Sequence, residues 1–196
     1  MARIESINVS PGGIPKVPLR RGEFVEAGLV GDGHDHEKHR TPLQAISLLD
    51  GELLDAVAEE SGLDLQPGSF GENLTVRGVG VQRLGAGDRL RIGDDGPALE
   101  ITRVRPPCYV LDALSPDFKR TLWNRIGMYA RVVRPGTASP GDPIHLELQT
   151  GTDRPLIRTP KEGCVDGVDF ARHVLRRHDL HPLSQINDDP SATISP

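Results

Sequence analysis

The chain has 196 residues and a formal net charge of -5, with 22 glycines, 17 prolines and only 4% aromatic residues. That composition argues against a helical bundle and for short strands joined by many turns. Acidic and basic residues are mixed along the chain, which excludes a broad electrostatic footprint for nucleic acid and leaves any anion to a local cluster.

In chain order, Ile4, Ile7 and Val9 open a strand, Pro11-Gly12-Gly13 turns it, and Phe24-Val25 and Leu29-Val30 continue the pattern. Gly31-Asp32-Gly33 then leads into a polar stretch carrying His34, His36, Lys38 and His39. Its three histidines could coordinate zinc or form a solvated loop, and no cysteine pair supports an independent zinc site. A helix is predicted next. Thr41 suits its cap, Pro42 its first position, and Leu43, Ile46, Leu49, Leu53, Leu54 and Val57 recur at helical spacing up to Ser61-Gly62.

A glycine-punctuated loop, Pro67 to Asn73, enters a short strand at Leu74–Val76. Leu90 and Ile92 mark another strand, and Asp94-Asp95-Gly96 turns the chain into Leu99–Val104. A second helix is predicted from Ser115-Pro116 to about Ile126, stopped by Gly127, with Phe118 and Trp123 as packing residues. Strands at Met128–Val133 and Ile144–Leu148 follow. The expected fold is mainly β (α+β): a curled, mostly antiparallel sheet, closed as a β-barrel, with two flanking helices. Residues 151–196 change character, with a candidate helix near Val168–Arg177 and a polar, proline-rich end expected to be disordered.

Cys108 and Cys164 stand far apart in dissimilar contexts, which argues against a disulfide framework and for a reducing compartment. The N-terminus lacks a signal-peptide run and no segment is long enough to span a bilayer, so a cytoplasmic protein without a membrane partner is expected. Cys108 is the residue of most interest. Pro106-Pro107 should end strand pairing and hold the thiol at a strand edge or on a rigid loop. Arg103 and Arg105 lie just upstream, and guanidinium groups favour the thiolate, which attacks electrophiles or ligates soft metals. The competing reading is a small buried hydrophobe. Cys164, with Asp166 nearby, reads as an ordinary thiol. Glu72 reads as the partner of a basic group, Asp88 as a turn former, and Arg89 and Arg91 as solvent-facing.

Five segments, Gly31-Asp32-Gly33-His34 with Glu37-Lys38-His39, Gln44-Ala45, Pro67 to Leu74, Gly87 to Gly93, and Arg105-Pro106-Pro107-Cys108-Tyr109, closely resemble in order and spacing the MOSC domain. That domain ends molybdenum cofactor sulfurases and also occurs as stand-alone bacterial proteins. The resemblance covers about residues 20–146, which sets the domain at 1–150 and leaves 151–196 as an extension. It implies a β-barrel-like fold that binds the pyranopterin molybdenum cofactor, with Cys108 as the molybdenum ligand and Asn73 in contact near the metal. It also implies Lys38, His39, Arg103 and Arg105 at the pterin or its phosphate. Asn73 equally suits a turn or cap role. Members often carry Gly-Gly-Pro after the basic cluster, where this chain has Arg40-Thr41-Pro42.

The expected function is an oxidoreductase that reduces N-hydroxylated or N-oxide compounds, small molecules, with electrons from an external flavin or iron–sulfur protein. The chain itself shows no flavin motif and no cysteine cluster, and nothing points to pyridoxal phosphate. The alternatives are a carrier that delivers the cofactor, or sulfur held as a Cys108 persulfide, without turnover, and a cofactor-free interaction module.

Overall fold

A computed structural model describes residues 1–33 and 41–148. The expectations for His34, His36, Lys38, His39, Cys164 and the 151–196 extension lie outside the described residues. Within them the strands are β1 (Arg3–Val9), β2 (Val17–Leu19), β3 (Gly22–Val25), β4 (Gly28–Leu29), β5 (Ile46–Asp50), β6 (Leu74–Arg77), β7 (Arg89–Ile92), β8 (Ala98–Val104), β9 (Met128–Arg134), β10 (Gly136–Ala138) and β11 (Ile144–Glu147). Two α-helices accompany them, α1 (Gly51–Ser61) and α2 (Phe118–Thr121).

Eight strands make one mixed sheet in the order β11-β7-β8-β9-β5-β6-β1-β2, and β10-β3-β4 make a second, three-stranded one. All pairs are antiparallel except β5 with β6, where α1 supplies the crossover that parallel neighbours need. Alternating residues Leu90 and Ile92 of β7 and Leu99 and Ile101 of β8 fill the core, in one apolar cluster with Phe24 of β3 and with Ile4 and Ile7 of β1, between which the strand register shifts. The expected barrel closure does not occur. β1 meets the start of β11 only at an isolated bridge between Arg3 and Pro143. The Ile4 and Ile144 N–H groups that flank the bridge do pair across it, with the Asp142 and Ala2 carbonyls at 2.9 and 3.0 Å, but the turn Ser139–Asp142 lies directly before Pro143, so the ladder does not propagate.

The first predicted helix is half strand. Thr41 does cap, but it caps a 3-10 turn over Pro42–Gln44, and the chain then extends as β5 before α1 begins at Gly51. Every residue of β5 is buried. A strand buried on both faces shows no alternation, and its apolar run merged in phase with the helix that follows. The helix ends where its sequence places the stop: Gly62 closes α1 in the left-handed conformation at φ +68°. The second helix is also shorter than expected. Tyr109–Ala113 is a 3-10 turn, and α2 spans only Phe118–Thr121.

The fold divides into two compact units. Among the described residues, one comprises Met1–Arg105 and residues 127–148, and carries both sheets; the other comprises Pro106–Ile126. The buried residues of the 106–126 segment include Leu111, Phe118, Leu122 and Ile126.

Candidate functional site

Three segments of the sheet unit are tied together by buried polar side chains: the 10–16 loop after β1, Asp32, and the 67–73 turn before β6. The turn owes its shape to glycine. Gly68 (φ +92°) and Gly71 (φ +74°) both lie in the left-handed region, and a Cβ on Gly68 would strike the Lys16 carbonyl. That close approach lets the Lys16 N–H donate to the Gly68 carbonyl at 2.9 Å.

Asn73 sits at the centre, 2% exposed. Its Oδ1 accepts from the Ser47 N–H at 3.1 Å and the Ser47 hydroxyl at 2.9 Å. Its Nδ2 donates to the Asn8 carbonyl at 3.3 Å and to Asp32 at 2.8 Å. Asp32 also accepts from the Ser10 N–H at 3.0 Å and pairs with Lys16. Burial lowers the Lys16 pKa, against an upward pull from Asp32. Asn73→Ala removes four buried hydrogen bonds and is expected to cost about 2–3 kcal/mol in chemical denaturation; an unchanged midpoint would show that the carboxamide is not the tie.

Glu72 points the other way and is completely buried. Its Oε1 accepts from the Gly68 N–H at 2.6 Å and the Thr75 hydroxyl at 2.8 Å, while Oε2 has no partner. Burial raises its pKa, opposed by those hydrogen bonds and by the charge of Arg105. Arg105, just past the end of β8, is 9% exposed. It donates from Nη2 to the Phe70 carbonyl at 2.5 Å, and its Nη1 is buried without a partner. Glu72 is thus a structural residue, but it is hydrogen-bonded to a backbone N–H and a hydroxyl rather than to the basic group its sequence context suggested; Asp88, accepting from the Gly85 N–H at 2.7 Å, shapes its turn.

Cys108 belongs to the second unit. β8 ends at Val104, and Arg105 to Cys108 run without regular pairing, as Pro106-Pro107 requires. The thiol is partly exposed and free. Cys108 stands at the N-terminal edge of the 3-10 turn, yet its side chain makes no capping hydrogen bond. Arg103 sits 5.5 Å above the Tyr129 ring, and burial lowers its pKa.

Of the residues proposed from sequence, Asn73, Arg103 and Arg105 fall in the sheet unit, where the 67–73 turn joins Asn73 to Arg105 through Phe70. Cys108 lies in the other unit, and Lys38 and His39 lie outside the described residues. Sequence reasoning did not single out Lys16, Ser47 or Asn8. None carries a motif, and only the fold brings them to Asn73. Among the described residues no cluster of histidine, cysteine and carboxylate side chains could hold a metal ion by itself, and no helix is long and apolar enough to cross a membrane.

Comparison with known proteins adds three relationships. The uncharacterized protein YflK of Bacillus subtilis (strain 168) is 30% identical over 142 residues, covering 69% of this chain and 62% of YflK, so the chain spans about three fifths of that relative's length. The crystal structure of YiiM from Geobacillus stearothermophilus superposes with a TM-score of 0.65 at 22% identity, over 97% of this chain and 93% of YiiM. That of the YuaD protein from Bacillus subtilis gives a TM-score of 0.62 at 22% identity, over 74% of this chain and 94% of YuaD. Both likenesses show the fold alone. The model of the MOSC domain matches residues 35–145. That match spans β5 to β9, the Asn73 turn and the Cys108 segment, and more than half of the sequence: the chain belongs to the MOSC domain family, which is associated with molybdenum cofactor binding.

Proposed function

We propose that this protein is a molybdenum-cofactor-dependent oxidoreductase acting on N-hydroxylated or N-oxide compounds, with Cys108 as the protein ligand to molybdenum. The observation that carries the reading is the state of Cys108: a partly exposed thiol, set after two prolines and not spent on capping the turn it begins. The residues fit the group. A thiolate is a soft donor suited to molybdenum, and the unpartnered Nη1 of Arg105 is a buried cation of the kind a phosphorylated pterin recruits. Asn73, Lys38, His39 and Arg103 are the further residues proposed for the pterin or its phosphate.

When bound, the cofactor supplies two-electron chemistry by which an N-hydroxyl or N-oxide loses its oxygen as water, two protons and two electrons being consumed. The chain's own task is to bind and orient. Two prolines limit the conformations open to Cys108, and the 67–73 turn is fixed by buried hydrogen bonds on both sides. The electrons come from an external flavin or iron–sulfur protein.

The test is to express the protein in a host that makes the cofactor and to measure molybdenum and pterin per chain in wild type and Cys108→Ala. Near-stoichiometric metal in the wild type, and its loss in the variant, is the expected result. Equal molybdenum in both would overturn Cys108 as ligand. No molybdenum in either, with a persulfide trapped on Cys108, would favour sulfur delivery.

A further inference from the structure

We propose that Asp32, paired with Lys16, is a positioning residue of this site: its carboxylate fixes the orientation of Asn73 and locks the 10–16 loop to the 67–73 turn before any ligand arrives. This rests on the cofactor reading above. The Asp32 side chain is fully buried, and three donors from two segments converge on it: the Lys16 ammonium and the Ser10 N–H of the 10–16 loop, and Asn73 Nδ2 of the 67–73 turn. A carboxamide can turn end for end unless its two ends face unlike partners. Here Ser47 presents an N–H and a hydroxyl to one end, while the Asn8 carbonyl and the Asp32 carboxylate, acceptors both, hold the other. One orientation satisfies all four.

The strand ladders do not need this pair. β1 is held by its register with β2 and β6, and β5 by β6 and β9. A buried ion pair is a poor source of net stability, because desolvation offsets the attraction. What it supplies is fixed geometry, and a cradle ordered in advance binds more tightly because less loop ordering accompanies binding.

The test replaces both charges, since removing one alone strands the other in the interior. Lys16→Met/Asp32→Asn, loaded in the same host, is read by thermal melting and by the rate of pterin release. The expected result is a melting temperature near that of wild type and release about 10-fold faster or more, the range found when partners behind a ligand shell are removed. Unchanged release at an unchanged melting temperature would overturn the proposal. Lys16→Gln/Asp32→Asn, which keeps a donor at position 16 without either charge, is read the same way and decides alone if the first double variant does not fold. Where wild type holds no pterin, the cofactor reading fails separately. Amide hydrogen exchange then decides the positioning role: residues 10–16 and 67–73 should exchange about 10-fold faster or more in the variant while β5 and β9 do not change, and equal exchange would overturn it.

Discussion

Under the proposed function, Cys108→Ser is expected to remove nearly all reductase turnover while the protein stays folded. With an N-hydroxylated substrate and a reduced flavin or iron–sulfur donor, the rate should fall by on the order of a thousandfold, the scale expected when a reaction loses the ligand that holds its metal. Serine is nearly isosteric with cysteine, but its hydroxyl is a hard, protonated donor where a thiolate is soft and anionic. The fold has little to lose. The side chain is partly exposed, forms no disulfide and caps nothing, so the change should stay within about 1 kcal/mol. Steady-state assay beside thermal melting separates the two effects. A serine variant with full turnover would sink the mechanism, and a wild type that transfers its cargo once without cycling would identify a carrier.

Gly127→Ala is expected to prevent stable folding. Gly127 begins the return from the 106–126 segment into β9, at φ +92°, where a side chain is already strained by about 1–2 kcal/mol. Its Cβ would also land on the Leu48 carbonyl oxygen, far inside van der Waals contact. Leu48 belongs to fully buried β5, pairs with Met128 of β9 and Leu74 of β6, and cannot retreat without parting both ladders. The Gly127 carbonyl also accepts from the Arg105 N–H at 3.0 Å, so a displaced backbone loosens the end of β8 as well. Together these should exceed about 4 kcal/mol, a large share of the stability of a small domain. Gly62→Ala is the comparison, since Gly62 also has positive φ but nothing lies within 4 Å of the added methyl. It should cost about 1 kcal/mol. Equal denaturation midpoints for the two variants would show that the clash with Leu48 is relieved.

Much of the sheet could be read from alternation and turn chemistry. Leu90 and Ile92 alternate with exposed or half-exposed arginines, and β7 lies there; Asp94-Asp95-Gly96 turns the chain, and β8 follows. Gly62 marks the end of α1 because positive φ is a local property that glycine announces; Gly127 also has positive φ, but α2 ends well before it, at Thr121. β5 was hidden because Ile46 to Asp50 is buried on both faces, which removes the period that separates strand from helix. Closure could not be judged either, since whether β1 and β11 pair depends on residues 140 positions apart meeting at Pro143. The site divides the same way. Asn73 and Cys108 stand in motifs, whereas Lys16, Ser47 and Asn8 have ordinary neighbours and acquire a role only when three segments meet. Arg105 is recognisable by its place before two prolines, but its bond to Phe70 is a product of the fold.

The second sheet carries a consequence for biosynthesis. β3 pairs with β10, so Phe24 waits for Gly136, more than a hundred residues further along the chain. A ribosome delivers residues in order: β4 can pair with β3 at once, but β3 leaves the exit tunnel long before its other partner, β10, exists. Until then Phe24, which is fully enclosed in the finished core, faces Leu29 of β4 but lacks the strand that completes its sheet. Distant pairing of this kind slows folding and prolongs the lifetime of an apolar intermediate. The interval before β10 emerges is when the nascent chain would most need a chaperone.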